Sequence, residues 1–523
     1  MVVAGSVPIL PGECGPALRR EAGTRGVGRH EGAALTSSVE QARKLLSRDT
    51  AAERKSRLGQ FLTPASTARF MADLFTQADS RHCRLLDPGA GIGSLASAFV
   101  ERCGSSGLDF ETIVVTAYEV DARLHRELEK TLAACAETAP LTFEILGADF
   151  IEDVVDRIPL FVGQGYTHAI LNPPYKKIRN GSHHRLLLRR VGIETVNLYT
   201  AFVALTLELL APGGEVVAIV PRSFCNGPYY RPFREFLLRR AAIVHLHLFE
   251  SRTSAFKDDG VLQENVIIML KRDGDQGDVT VTTSSDDSFS DLATYTHPFV
   301  HIVPPGNPER FIRIPTAPER TCRSANVRHS LKEIGLGVST GPVVDFRLRG
   351  HLCDMPEPGT VPLLYPGHLG GHKVEWPKAG LKKPNAIRRN PETEKWLYPG
   401  GFYCVVRRFS SKEERRRIVP TVVEPDRLAG ADMLGFENHL NVFHECRRGL
   451  PEELARGLAM YLRSSAVDED FRKFSGHTQV NATDLRLMRY PSRSALVALG
   501  KWAMSHGEPT QAVIDELVND VTA

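Results

Sequence analysis

A doubly wound α/β fold built on a mostly parallel sheet is the architecture this chain predicts, and three observations predict it. Short apolar runs alternate with helical stretches between residues 63 and 270. One of those runs joins its helix through a glycine-rich turn. Four successive runs each end in a polar or aromatic group, where an open parallel sheet places its ligands.

Residues 1–36 are rich in Gly, Ala and Arg, show no hydrophobic period, and read as a disordered leader. Ser38 to Arg57 reads as a charged helix. Gly59-Gln60-Phe61-Leu62-Thr63-Pro64 breaks the pattern and Ala65 to Phe75 resumes it. Thr63 fits a helix cap with Pro64 at the first helical position, and such an N-terminus offers N–H groups to a carboxylate ligand. Arg84 to Asp87 is a strand ending in an acid, Pro88 to Gly93 a turn, and Ser94 to Phe99 the start of a helix. Gly89, Gly91 and Gly93 are spaced Gly-x-Gly-x-Gly, unlike the dinucleotide fingerprint. An acid just before the turn would repel a pyrophosphate. It suits a ligand with a cationic amine, such as the methionine end of S-adenosylmethionine. Ile113 to Tyr118 is a second strand, and Glu119 at its end can accept from both ribose hydroxyls. Leu141 to Leu146 is a third, followed by Asp149, an acceptor for an adenine amine, and Phe150, a ring to stack on.

The fourth strand, Tyr166 to Leu171, runs into Asn172-Pro173-Pro174-Tyr175. Two prolines in tandem fix φ and remove two backbone donors, so the sheet ladder stops there. The Asn172 side-chain oxygen and the Pro173 carbonyl are acceptors, and Tyr175 adds a flat ring. Together they suit a planar group bearing an NH₂. A Pro-rich turn with a capping Asn fits the same four residues. Further on, Asn197 opens an apolar helix to Leu210, and Glu215 to Val220 is the fifth strand. Ser223 is placed to cap a helix ending near Arg240. Ile243 to Phe249 and Val266 to Leu270 complete the sheet.

Taken together, these segments resemble the gamma-class (Taq-type) adenine-specific DNA methyltransferases of restriction-modification systems, from Arg54 to Leu270 and more loosely to the C-terminus. The resemblance implies a class I (Rossmann-like) seven-stranded domain dependent on S-adenosylmethionine over residues 37–272. It also implies a C-terminal mixed α+β target-recognition domain over 331–523. Carried over, Thr63 and Pro64 contact the cofactor, and Asp87, Gly89, Gly91 and Gly93 form its loop. Glu119 takes the ribose, while Asp149 and Phe150 hold the cofactor's adenine. Asn172, Pro173, Pro174 and Tyr175 match the catalytic motif. Phe256 is the candidate to close the second face of the target base, although a core phenylalanine fits that position too. The implied reaction is methylation of the N6 amine of an adenine flipped out of duplex DNA.

A chain of 523 residues exceeds what one core usually holds, so two or three domains are expected. No apolar run approaches the about 18 residues that span a membrane. Val7 to Leu10 is too short for a secretory signal. Nine cysteines form no Cys-x-x-Cys pair, which favours reduced thiols in a cytoplasmic protein and no metal cluster. Residues 273–330, acidic and rich in Ser and Thr, read as a linker or surface excursion, and a second domain starts near Leu331.

Within that domain residues 371–420 hold 13 Lys/Arg against 5 Asp/Glu, a net of +8 in a chain of +3, so the rest nets −5. Aromatics interleave with these cations, as in a nucleic-acid face. Arg407, Arg408, Lys412, Arg415, Arg416 and Arg417 are the candidate DNA contacts. Gln479 and Asn481 could read base edges, with a helix cap at Asn481 or Thr483 the favoured alternative. The expected partners are duplex DNA and a cognate restriction endonuclease, with the chain a monomer. Competing readings are methylation of a protein glutamine amide or an RNA guanine amine, and a non-catalytic DNA-specificity subunit.

Overall fold

The apolar runs of the first half pair into one twisted sheet. The computed structural model describes residues 18–20, 32–49, 62–76, 80–104, 108–158, 165–249, 264–316, 326–371, 373–410, 414–474 and 479–522. It divides into two units, Met1–Thr316 and Ala317–Ala523.

In the first unit a short strand β1 (Leu18–Arg20) precedes helices α1 (Gly32–Asp49) and α2 (Ala65–Asp73). Strand and helix then alternate: β2 (His82–Pro88), α3 (Ser94–Gly104), β3 (Thr112–Tyr118), α4 (His125–Thr138), β4 (Leu141–Leu146), α5 (Phe150–Val155) and β5 (Tyr166–Leu171). Helices α6 (His183–Arg190) and α7 (Leu198–Leu209) lead to β6 (Leu210–Pro221), α8 (Arg231–Arg240), β7 (Ala241–Phe249), β8 (Asn265–Arg272), β9 (Val279–Ser284) and β10 (Ala293–His297). The ten strands lie in the order β1-β4-β3-β2-β5-β6-β8-β7-β9-β10. The seven from β4 to β7 are the expected class I core, with β8 antiparallel to both neighbours.

Side chains alternate between two cores, as the period of a strand requires. Ala169, Leu171, Val216, Ala218 and Val220 face a cluster that includes α5, α7 and α8. Leu85, Ile170, Val217 and Ile219 face one that includes α2, α3 and α4. Both faces of the central strands are therefore covered, which is why they read as unbroken apolar runs.

Several expectations change. Among the described residues three further strands, β1, β9 and β10, flank the expected seven. Within the expected linker or excursion, the described residues 273–316 carry two strands: β9 pairs in parallel with β7, and β10 pairs back on β9. Val279 and Val281 are buried among its β-branched residues, so a Ser/Thr-rich stretch serves as strand. Of residues 1–36, Leu18–Arg20 pairs with β4 as an edge strand and α1 already begins at Gly32. Residues 183–190, which follow the Asn-Pro-Pro-Tyr turn, form α6. Ser223 lies in a short 3₁₀ turn, Arg222–Cys225, and caps no α-helix. No helix among the described residues is long and apolar enough to cross a membrane.

The second unit is mixed α+β. One four-stranded sheet contains Gly337–Thr340, Leu440–His444, Tyr403–Arg407 and Pro420–Val423, and a five-stranded sheet includes Thr360–Leu364 and Met433–Phe436. Helices α9 (Glu452–Leu462), α10 (Ser465–Phe474), α11 (Ala482–Leu487), α12 (Arg493–His506) and α13 (Gln511–Thr522) follow. Helices α9 and α12 cross at Gly457 and Gly500, where the chains touch backbone to backbone. A β-carbon at Gly457 would stand 1.7 Å from the Leu496 carbonyl oxygen, and one at Gly500 1.6 Å from that of Glu453. Alanine at either position must push the helices apart. We expect Gly457→Ala or Gly500→Ala to destabilise this unit by about 1–3 kcal/mol or more, read as a lower denaturant midpoint with an unchanged slope.

Candidate active site

The parallel strands end together. Pro88 is level with Tyr118, Tyr118 with Leu146, and Leu171 with Ala218. The residues just beyond these ends therefore share one edge of the sheet.

At its centre lies Asp87, fully buried, with neither carboxylate oxygen hydrogen-bonded. Burial, reinforced by the nearby Glu119 and opposed by the Ala96 amide, pushes its pKa up to about 8. The turn that follows is held by the Gly89 and Ala90 amides, both 2.8 Å from the Tyr118 carbonyl. Gly89, Gly91 and Gly93 have φ of +86°, +59° and +85°, backbone that side chains resist. A β-carbon at Gly91 would stand 3.0 Å from Leu62, directly before Thr63, and one at Gly89 4.0 Å from the Asn172 carbonyl oxygen. The glycine turn, the Thr63 segment and the Asn-Pro-Pro-Tyr turn are thus neighbours.

Glu119 is buried and ties this edge together. Its two oxygens accept from the amides of Gly91 (2.8 Å) and Asp121 (2.7 Å). Burial raises its pKa against those two bonds. Asp149 caps α5, accepting from the Ile151 and Glu152 amides, and its other oxygen lies 3.2 Å from His184 Nε2. Burial alone would raise Asp149, but the His184 bond and the cap hold it below the usual carboxylate range, while His184 is raised. Phe150 is buried against Tyr118 and Phe202, with ring centroids 5.0 and 4.9 Å apart.

The Asn172 amide nitrogen donates to the Thr63 hydroxyl at 3.1 Å. Thr63 does not cap α2, contrary to the expectation from sequence. Pro64 is the cap residue, and the Ala65 amide is taken by Glu40 from α1 at 3.1 Å. Pro173 is buried, and its carbonyl takes no hydrogen bond among the described residues. Pro174 is half-buried, and its carbonyl accepts from the Lys176 amide. Tyr175 is half-buried: its hydroxyl donates to the Ile219 carbonyl at 3.1 Å and its ring meets Tyr199 edge-on at 6.2 Å. The turn is stapled to the start of α7 by Ile178 to Val196 and Leu198 to Lys176 backbone bonds. Behind it Asn197, Tyr199, Ser223 and Tyr230 form one hydrogen-bonded group. From sequence Asn197 and Ser223 were placed only as helix-end residues; neither their bonding to Tyr199 and Tyr230 nor the pairing of His184 with Asp149 was legible there. Phe256 lies outside the described residues.

A profile described as Eco57I restriction-modification methylase matches residues 136–256. The type II methyltransferase M.BsuBI of Bacillus subtilis is 51% identical over 476 residues, 89% of this chain and 94% of its own. The chain belongs to the type II restriction-modification methyltransferases. M.PstI of Providencia stuartii, also a type II methyltransferase, is 42% identical over 89% of this chain and 93% of its own. Among solved structures, a DrdV–DNA complex is similar over 92% of this chain and 60% of its own, at 13% identity and a TM-score of 0.48.

The residues of this type II methyltransferase fit S-adenosylmethionine. The partnerless Asp87 carboxyl and the bare backbone at Gly89 and Gly91 match the ligand's ammonium and its close approach. Thr63, Glu119 and Asp149 line the same edge.

In the second unit the candidate DNA contacts separate. Arg417 is 1% exposed, its Nε donates to Ser410, its amide bonds Asp468, and it stacks over Phe471. It is a core arginine and no surface contact, because burying so much side chain leaves no charge to present. Arg408 donates to the Asn438 carbonyl and to Gln479, and Arg407 to Glu414. Arg416 donates to Ser464 and Ser465, and Arg415 is exposed. Asn481 caps α11 in a reciprocal box with Asp484. Lys412 lies outside the described residues. Much of the +8 segment is ion-paired: Lys383 with Asp345, Arg388 with Glu357, and Arg389 with Asp432 and Glu394.

Asp87 sets a pH dependence. Its carboxyl holds its proton up to about pH 8 in the folded chain, against 3.8 as the ordinary value. The folded state then binds more protons, so this group's contribution to stability is full below pH 4 and is lost as pH rises to 8. Asp87→Asn should flatten that part of the melting-temperature profile. Seating an ammonium beside Asp87 should release a proton near pH 7, measurable by calorimetry of S-adenosylmethionine binding in buffers of different ionisation enthalpy. Thr63→Val, which removes the Asn172 anchor, should lower kcat by roughly fivefold, the worth of about 1 kcal/mol for one hydrogen bond. Thr63→Ser should retain most of the rate.

Proposed function

We propose that this type II methyltransferase transfers a methyl group to the exocyclic N6 amine of an adenine flipped out of duplex DNA, as the modification enzyme of a restriction-modification system. The observation that carries this is the Asn172–Tyr175 turn, braced by Thr63 and set against the Gly89 turn. S-adenosylmethionine, when bound, supplies an activated methyl group.

The chain's part is to present the amine. Its lone pair is delocalised into the base ring, which makes it a poor nucleophile. The Asn172 side-chain oxygen and the Pro173 carbonyl accept its two N–H bonds and draw them out of the ring plane. That concentrates the lone pair on the nitrogen without prior deprotonation. Because the Asn172 nitrogen is anchored on Thr63 and the Tyr175 hydroxyl on Ile219, both groups are in place before the base arrives. Such preorganised positioning and dipoles account for the catalysis.

The base must leave the duplex, at about a few kcal/mol. Stacking on Tyr175, with Phe256 opposite, offsets about 1–3 kcal/mol of this. The second unit supplies target recognition, duplex DNA is the substrate, and a cognate endonuclease is the partner whose cutting the mark prevents. The enzyme acts as a cytoplasmic monomer on this reading.

Asn172→Ala should lower kcat by about 10² or more, in line with loss of a preorganised polar group at a reacting centre, with S-adenosylmethionine affinity nearly unchanged. Labelled methyl transfer to duplex DNA, followed by nucleoside analysis, tests the acceptor. Unaltered turnover in the variant, or label on cytosine, protein or RNA, overturns the proposal. Tyr175→Phe should keep most activity, since the ring remains, and Tyr175→Ala should lose it.

A further inference from the structure

The second unit contains a cavity of about 400 Å³ lined by Arg407, Arg415, Arg416 and Arg463, with Glu414 and Gln511 beside them. Arg407 ends the strand Tyr403–Arg407, Arg463 follows the last turn of α9, and Gln511 opens α13. Ile418, Val419 and Pro420 complete its lining, so four arginines and one glutamate share the wall with an apolar strip.

Each arginine is held in place by its own partner. Arg407 Nη2 donates to Glu414 at 3.1 Å. Arg416 donates to the Ser464 carbonyl and the Ser465 hydroxyl, both at 3.1 Å. Arg463 Nη1 donates to Glu508 at 2.6 Å. Of the further acids close by, Asp515 accepts from the Ser465 amide and hydroxyl, and Asp468 from the Arg417 amide and Arg472. These fixed partners leave donors over. The Arg407 Nε is buried without an acceptor, and Arg415 is exposed with no ion pair among the described residues. Burial lowers the Arg416 pKa; the nearby Asp468 and Asp515 carboxylates oppose that shift, and Arg415 and Arg463 add to it. An anion with several oxygens can accept from the donors left over, and a guanidinium fork matches phosphate oxygens two at a time.

We propose that this cavity is a seat for a backbone phosphate of duplex DNA. The inference rests on the DNA reading above and sharpens it. Arg415, Arg407 and Arg463 grip the sugar-phosphate chain, while Arg417 supports the fold. A phosphate contact carries no sequence information and fixes the register in which the bases are read.

The full chain carrying Arg415→Gln, with Lys501→Gln as an exposed control, tests this. Duplex binding measured across a range of salt should weaken on cognate and unrelated sequences alike. The slope of log affinity against log salt should fall by about 0.9 in magnitude, the value for one phosphate contact, while Lys501→Gln leaves it unchanged. In the absence of DNA, inorganic phosphate should bind the wild-type chain in calorimetry and bind Arg415→Gln at least fivefold more weakly. An unaltered salt slope overturns the proposal, whether or not inorganic phosphate binds. Binding is read apart from methyl transfer, so a chain that grips DNA here yet methylates no adenine overturns the proposed function and keeps this seat.

Discussion

A carboxyl group sealed at the end of a central strand, with the Ala96 amide near it and no cation paired to it among the described residues, is the constraint around which the first unit is arranged. Folding removes Asp87 from water, and leaving such an acceptor unmet costs about 1–3 kcal/mol. Nothing in the apolar sheet compensates it. The surroundings answer by keeping the group protonated and by opening a backbone-lined turn directly beside it. Positive φ at Gly89, Gly91 and Gly93 makes room that side chains would fill. A cationic ligand entering that room converts a strained acid into a partner, so binding and folding strain are coupled at one residue.

The second requirement is that acceptor and donor of the methyl group meet. Here the Thr63–Asn172 bond matters more than either residue alone. Thr63 belongs to the segment that enters α2, and Asn172 to the end of β5, far away in sequence. Their bond makes the wall of the cofactor side continuous with the turn that receives the amine. Tyr175 is fixed from the opposite direction by the Ile219 carbonyl on the adjacent strand. A turn with two prolines, pinned at both ends, has little freedom left to lose when a base settles on it.

Much of this could be read from residues alone because the governing signals are local. A strand that ends in an acid, a turn that needs glycine, and two prolines that stop a ladder each act over a few positions. Tertiary partners are where reading failed. Thr63 looked like a cap, yet its hydroxyl serves Asn172, and Glu40 from a distant helix takes the cap's place. Asp149 looked like a free acceptor, yet it spends one oxygen on its own helix and the other on His184. The Ser/Thr-rich stretch after Arg272 looked like a linker because its composition is polar. Pairing with β7 and burial of Val279 and Val281 made it strand.

The burial of Arg417 has a practical side. Its neighbours Arg415 and Arg416 differ from it by one or two positions and look identical on paper, yet one guanidinium is interior masonry and another stands in solvent. Neutralising the whole run at once would collapse the packing on Phe471 and abolish every activity together. A mutagenesis survey that scored only retention on DNA would then mistake an unfolded chain for a map of where the helix lies.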